Sequence, residues 1–201
     1  MAMSAGAAAA ISHAPGRSIA SIPIGKLGVW WFLASEVMVF GGLIGTFVLM
    51  RYAHGGWIED ASHLNWHFAA INTFILVTSS LTMILALSAA KAANPGQARI
   101  FLGITILLGL SFLGVKTIEY SRELHEGFGP SSGLFWSFYF GMTGLHALHL
   151  TAGIVVNACL FVLTFSQRAR KILESRIEFA GLYWHFVDIV WIFLFPTLYL
   201  T

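Results

Sequence analysis

Five ionisable side chains stand inside stretches that otherwise carry no charge: Glu36, His146, His149, His185 and Asp188. Glu36 is set in the apolar run Val29-Trp-Trp-Phe-Leu-Ala-Ser-Glu-Val-Met-Val-Phe-Gly-Gly-Leu-Ile-Gly-Thr-Phe-Val-Leu-Met50, ten residues beyond Lys26. An ionised carboxylate in hydrocarbon costs several kcal/mol, so a group placed there is protonated, paired or turned toward the protein interior. Two compatible readings of Glu36 follow. It is a hydrogen-bonded acid that fixes helix packing, or a carboxyl that accepts and relays protons when water reaches it.

His146 and His149, in Gly144-Leu-His-Ala-Leu-His149, are three apart and share one face of a helix, as do His185 and Asp188 in Tyr183-Trp-His-Phe-Val-Asp188. Converging with Glu36, these four would form a buried polar network. Imidazoles and carboxylates from several helices also build di-metal centres, but paired helices then supply Glu-x-x-His units, and this chain has none. Haem would need axial histidines on facing helices, and the spacing leaves that open for one pair. The reading adopted is no catalytic residue, no metal and no cofactor in this chain. The histidines then hydrogen-bond to carboxyls or carbonyls and hold helices in register where lipid offers no partner.

Lys116 and Glu119 are also three apart, about 25 Å along a helix from Arg99 at 1.5 Å per residue, where they pair or snorkel to the interface. Asn72, Thr73, Thr78, Ser79, Ser80 and Thr82 are small polar groups of the kind that mediate close helix contact, and Gly41, Gly42 and Gly45 allow another helix to approach. The basic cluster Arg168, Arg170, Lys171 and Arg176 fixes topology and secondarily binds anionic lipid headgroups.

The elements that carry these groups are long and apolar. Of 201 residues, 57% are hydrophobic and 10% charged, with mean hydropathy +0.78, a composition that excludes an ordinary soluble domain. Apolar blocks at 27–51, 67–90, 99–121, 133–164 and 179–200 each meet the roughly 20 residues a spanning helix needs. They do not alternate as strands of a closed barrel would. The predicted fold is all-α, an integral membrane bundle of five helices from 26 to 201, preceded by a mobile tail at 1–25 that lacks the basic start and apolar core of a signal peptide.

Arg17, Lys26, Lys91, Arg99 and the cluster Arg168, Arg170, Lys171 and Arg176 fall on one side of such a bundle, with only Arg51 and Arg122, beside Glu59, Asp60, Glu123 and Glu126, on the other. The N-terminus is therefore expected in the cytoplasm and the C-terminus outside. The single Cys159 excludes an intrachain disulfide and a thiolate cluster. Nothing marks a nucleic-acid partner, and there is no nucleophile elbow or phosphate-cradling loop.

Four stretches, taken together and in order, resemble subunit III of the haem-copper oxidases, the cytochrome c oxidase subunit III family. Tyr183-Trp-His-Phe-Val-Asp-Ile-Val-Trp191 is nearly a family signature, and Thr143-Gly-Leu-His-Ala-Leu-His149 resembles its T-G-F-H-G-x-H segment. Phe32-Leu-Ala-Ser-Glu-Val-Met-Val-Phe-Gly-Gly42 looks like its S-E-V-x-F-F-x-G helix, and Leu110-Ser-Phe-Leu-Gly-Val-Lys-Thr-Ile-Glu-Tyr120 like its segment ending in E-Y. Mitochondrial members have seven helices, whereas this chain looks like the shorter bacterial form that begins at the third. Lys116 stands where mitochondrial members carry Gln, and Ala147 replaces a Gly between the two histidines.

The resemblance implies an accessory, non-redox subunit of a bacterial cytochrome c oxidase, a multi-pass protein of the plasma or inner membrane in aerobic, proton-pumping respiration. Its implied partners are subunit I, the main contact and the holder of the catalytic metals, then subunit II, small subunits and phospholipids. Haem and copper are expected in those partner subunits. Glu36 matches the family's carbodiimide-reactive carboxylate, with an implied role in proton uptake and durability in turnover. A quinol oxidase subunit III and a nitric oxide reductase accessory protein share the body plan. A stand-alone proton-coupled transporter is the reading from a different class, though the spans show no repeats or broken helices.

Overall fold

The computed structural model describes residues 24–166 and 170–200. Among them are six helices: α1 (Ile24–Ala53), α2 (Ile58–Ser62), α3 (Trp66–Lys91), α4 (Pro95–His125), α5 (Leu134–Leu163) and α6 (Arg170–Tyr199). All but α2 are long and apolar enough to cross a membrane. The shortest of those five, α3, has 26 residues, about 39 Å at 1.5 Å per residue, against a hydrocarbon thickness of about 30 Å. The five apolar blocks thus each became one helix, and short connections make sequential long helices antiparallel.

Helix ends depart from the apolar blocks for identifiable reasons. Asn94 accepts from the Gln97 backbone N–H (3.2 Å) and Pro95 takes the first helical position, so α4 begins four residues before its apolar block. Likewise Asn65 caps α3 by accepting from His67 N–H (3.0 Å). The last helix starts at Arg170, nine residues before apolarity begins at 179, because Arg, Lys and Glu are good helix formers that a hydropathy reading passes over. Between α3 and α4 the left-handed residue is Ala93 (φ 53°), while Gly96 is already helical. The five-residue α2 was not foreseen; Trp57 before it is buried against Phe47, ring centroids 4.9 Å apart.

Residues 1–23 of the expected tail lie outside the described residues, and Ile24 and Gly25 belong to α1. Arg168 also lies outside them, as do the side chains of Arg170 and Lys171.

The most buried span is α6 and the least is α1. The core holds Phe112 of α4, Trp136 and Tyr139 of α5, and Trp184 and Trp191 of α6, all fully buried. Close backbone approach occurs around Trp184: a Cβ at Gly153 or at Gly109 would meet its ring at 2.9 Å. Gly41, Gly42 and Gly45 behave otherwise than expected. A Cβ on any of them would meet nothing within 4 Å, so no helix among the described residues packs closely against them.

Lipid gives no solvent-driven reason for helices to associate, so polar contacts between them carry much of the specificity. On α3, the small polar residues receive indole and imidazole groups from α6. Trp184 Nε1 donates to Ser79 Oγ (3.0 Å), Trp191 Nε1 donates to Thr73 Oγ1 (3.0 Å), and Ser80 Oγ meets His185 Nδ1 (2.6 Å). Thr82 and Thr105 join α3 to α4 at 2.7 Å. At the basic end Lys26 donates to Glu178 (2.8 Å), linking α1 to α6. There Arg99 Nη2 also caps the last turn of α5 by donating to Thr164 O (3.2 Å), with its guanidinium 3.5 Å over the Phe165 ring.

Candidate functional site

Glu36 faces α5 from the middle of α1. Its Oε2 lies 3.1 Å from His149 Nε2, and both side chains are mostly buried. His149 Nδ1 is 2.9 Å from Leu145 O. A backbone carbonyl only accepts, so Nδ1 carries a proton and donates to it. One proton then remains in the Nε2···Oε2 contact, and the pair is net neutral whichever partner holds it. That neutrality removes the cost that an isolated carboxylate would meet at this depth.

Neighbours fix the geometry. The Phe40 ring meets His149 edge-on at 5.2 Å, and Tyr183 of α6 donates to His149 O (2.9 Å), so three helices converge on the pair.

The other intramembrane groups do not join this pair in one hydrogen-bonded cluster. His185 and Asp188 point to α3 instead: His185 meets Ser80, and Asp188 is buried beside Ser80 with both carboxyl oxygens lacking a hydrogen bond of good geometry. His146 is fully buried with its ring against Phe112 (5.5 Å) and Trp191 (5.1 Å), and neither nitrogen has a hydrogen-bond partner in the described chain. The expected single network is therefore three separate sites, because His146 and His149 sit on one helix face but reach different neighbours. Among the described residues no three His, Cys, Asp or Glu side chains gather as a metal ion would require.

Lys116 and Glu119 pair at 3.2 Å, but inward; neither snorkels. Glu119 also accepts from Tyr139 OH (2.8 Å) and Tyr199 OH (2.5 Å), and Lys116 donates to Tyr199 OH (2.7 Å). The ammonium lies 4.9–5.5 Å from four ring centroids, those of Tyr120, Tyr139, Trp191 and Tyr199. Glu123, one turn on, is buried with neither oxygen hydrogen-bonded. Tyr139 and Tyr199 escaped the sequence reading, which took Glu123 only as an acid flanking the outer side; the i, i+4 spacing of Glu119 and Glu123 was the one available signal.

At the opposite, basic end, Arg176 borders an apolar cleft of about 560 Å³ together with Val29, Cys159, Phe179 and Tyr183.

A family model described as "Cytochrome c oxidase subunit III" matches residues 14–201. Among curated proteins, the chain is 36% identical over 178 residues to cytochrome c oxidase subunit 3 of Alkalihalophilus pseudofirmus, covering 87% of this chain and 85% of that one. It is 34% identical over 175 residues to cytochrome c oxidase subunit 3 of Bacillus subtilis, covering 87% and 84%. To the quinol oxidase subunit 3 of the same organism it is 33% identical over 174 residues, covering 87% and 85%. With nearly its whole length matched in both kinds of comparison and five membrane-crossing helices to match, the chain belongs to the cytochrome c oxidase subunit III family.

Proposed function

We propose that this chain is an accessory subunit of a bacterial cytochrome c oxidase, packed mainly on subunit I and also meeting subunit II, and that it contains no redox centre of its own. Haem and copper would then be held by the partner subunits. The observation that carries the reading is the Glu36–His149 pair: a carboxyl deep in a span, kept neutral overall by an imidazole, with one proton shared between them. Such a pair tolerates burial and still responds to protons when water reaches it. In the proposed role it supports proton uptake into subunit I and preserves the complex during turnover, without touching the reacting atoms.

The basic end, with Lys26, Lys91, Arg99 and Arg176, faces the cytoplasm in this proposal, where basic residues are retained. Arg176 at the mouth of its apolar cleft suits the headgroup of an anionic phospholipid whose chain lies in the cleft. A second reading, subunit III of a quinol oxidase, is favoured by the quinol oxidase relative at 33% identity, close to the 34% of the cytochrome c oxidase subunit from the same organism.

The test is Glu36→Gln in the complete complex. Gln cannot release a proton, while its amide still hydrogen-bonds to His149. The proposal expects slower proton uptake and faster turnover-dependent inactivation with the haem content intact. Uptake and inactivation rates equal to those of the parent complex would reduce Glu36 to a packing residue.

A further inference from the structure

Tyr183 belongs to two sites at once. It lines the apolar cleft of about 560 Å³ that Arg176 borders, and its hydroxyl donates to His149 O (2.9 Å) beside the Glu36 pair. From Arg176 to Tyr183 is seven residues of α6, about 10 Å at 1.5 Å per residue, and from Leu163 to Val155 is eight residues of α5, about 12 Å. The cleft thus runs inward from the basic end for about two helical turns. Tyr183 is its innermost residue on α6.

The same side chain braces both halves of the pair. On α5 it covers Gly153, where a Cβ would meet Tyr183 Cε1 at 3.3 Å, and its hydroxyl holds the His149 carbonyl. On α1 the Phe32 ring packs 6.0 Å from its own, one turn before Glu36. α1 is the least buried span and meets α5 at few points, so little else fixes the distance between them. Tyr183 is only partly buried and borders the cleft. An unfilled cleft gives the side chain room to turn inward, which takes its hydroxyl off His149 O and its ring off Phe32 and Gly153. A chain packed there leaves only the rotamer that braces the pair.

Charge selects the occupant. The lining carries one charge, Arg176, which has no partner among the described residues, while Lys26 and Glu178 nearby pair with each other. An apolar cleft below one unpaired cation suits an anionic phospholipid, and the inference rests on that reading of the cleft. We propose that an anionic phospholipid in the cleft regulates the Glu36–His149 pair through Tyr183. With its chain in place the pair is held together, and without it the pair loosens. Tyr183 is a positioning residue in this scheme.

The experiment follows modification of Glu36 by a hydrophobic carbodiimide in the complete complex, delipidated and returned to phosphatidylcholine vesicles with or without phosphatidylglycerol. Retained phosphatidylglycerol is counted by mass spectrometry. A carboxyl held by an imidazole reacts more slowly than a free one, so phosphatidylglycerol should slow the modification about fivefold, the equivalent of one hydrogen bond. Tyr183→Phe keeps the ring and loses the hydroxyl; it should retain the lipid yet react at the fast rate in both kinds of vesicle. Arg176→Gln should lose the lipid and react fast even where it is supplied. Arg176 is exposed, so this variant is read even if Tyr183→Phe does not assemble. Ser79→Ala breaks a hydrogen bond of the same kind between α3 and α6 and should keep the lipid dependence. No phosphatidylglycerol retained by the native complex would remove the lipid reading and the regulation with it. Lipid retained without a change in rate, or a lipid dependence that persists in Tyr183→Phe, would overturn the regulation alone.

Discussion

Lys116 and Glu119 should behave as one unit, and a double-mutant cycle measures it. Glu119→Gln keeps an oxygen for the Tyr139 and Tyr199 hydroxyls but leaves the Lys116 ammonium in the core without its counter-charge. Breaking a buried pair in this way costs about 3–5 kcal/mol. Lys116→Met leaves a buried carboxylate that still accepts from two tyrosines, which places its cost near about 3 kcal/mol, the low end of the same range. The double variant removes both charges together, keeps an acceptor for the tyrosines, and should cost about 2 kcal/mol or less. Its loss is then smaller than the sum of the singles by at least about 4 kcal/mol. The assay is reversible unfolding of the purified complex in mixed micelles of mild detergent and SDS. A double variant whose loss equals that sum would refute the claim that the four surrounding rings and two hydroxyls hold a coupled ion pair.

Other consequences follow from the packing and the topology. Gly153→Ala would put a Cβ 2.9 Å from the Trp184 ring, which Gly109 crowds from its own side, so it should cost about 1–3 kcal/mol in the same assay; Gly114→Ala, with nothing within 4 Å of its Cβ, should not destabilise. Ser79→Ala strands the buried Trp184 indole N–H and should cost about 1–3 kcal/mol, whereas Thr78→Ala, whose hydroxyl bonds only its own helix at Phe74 O, should be near neutral. With Cys159 replaced by Ser, Ala92→Cys at the basic end should react with an impermeant maleimide only in inside-out vesicles, and Ser131→Cys only in right-side-out ones. The reverse pattern would invert the proposed orientation.

The spans were legible because a bilayer demands length and apolarity, and both are local properties of the chain. Pairs on one helix were legible for the same reason: three-residue spacing put Lys116 beside Glu119. Partners across helices were not. His185 meets Ser80, 105 residues earlier, and Tyr199 reaches Glu119 from 80 residues away. Nothing in local pattern says which helix faces which, so a shared face was mistaken for a shared site in the case of His146 and His149. Glycines misled in a similar way. Gly41, Gly42 and Gly45 cluster, yet a Cβ on any of them would meet nothing within 4 Å among the described residues, while the isolated Gly109 and Gly153 flank Trp184. Such a residue permits close approach, but only the neighbouring helix decides where it happens. The short α2 was illegible because five residues carry too little periodicity to stand out.

The most direct measurement is a reduced-minus-oxidised spectrum of the complex purified in mild detergent through a tag on this chain. The account predicts a haem-copper oxidase signal in that complex and none from this chain expressed alone. A complex that contains the chain and shows no haem, or a haem signal carried by the chain by itself, would contradict it.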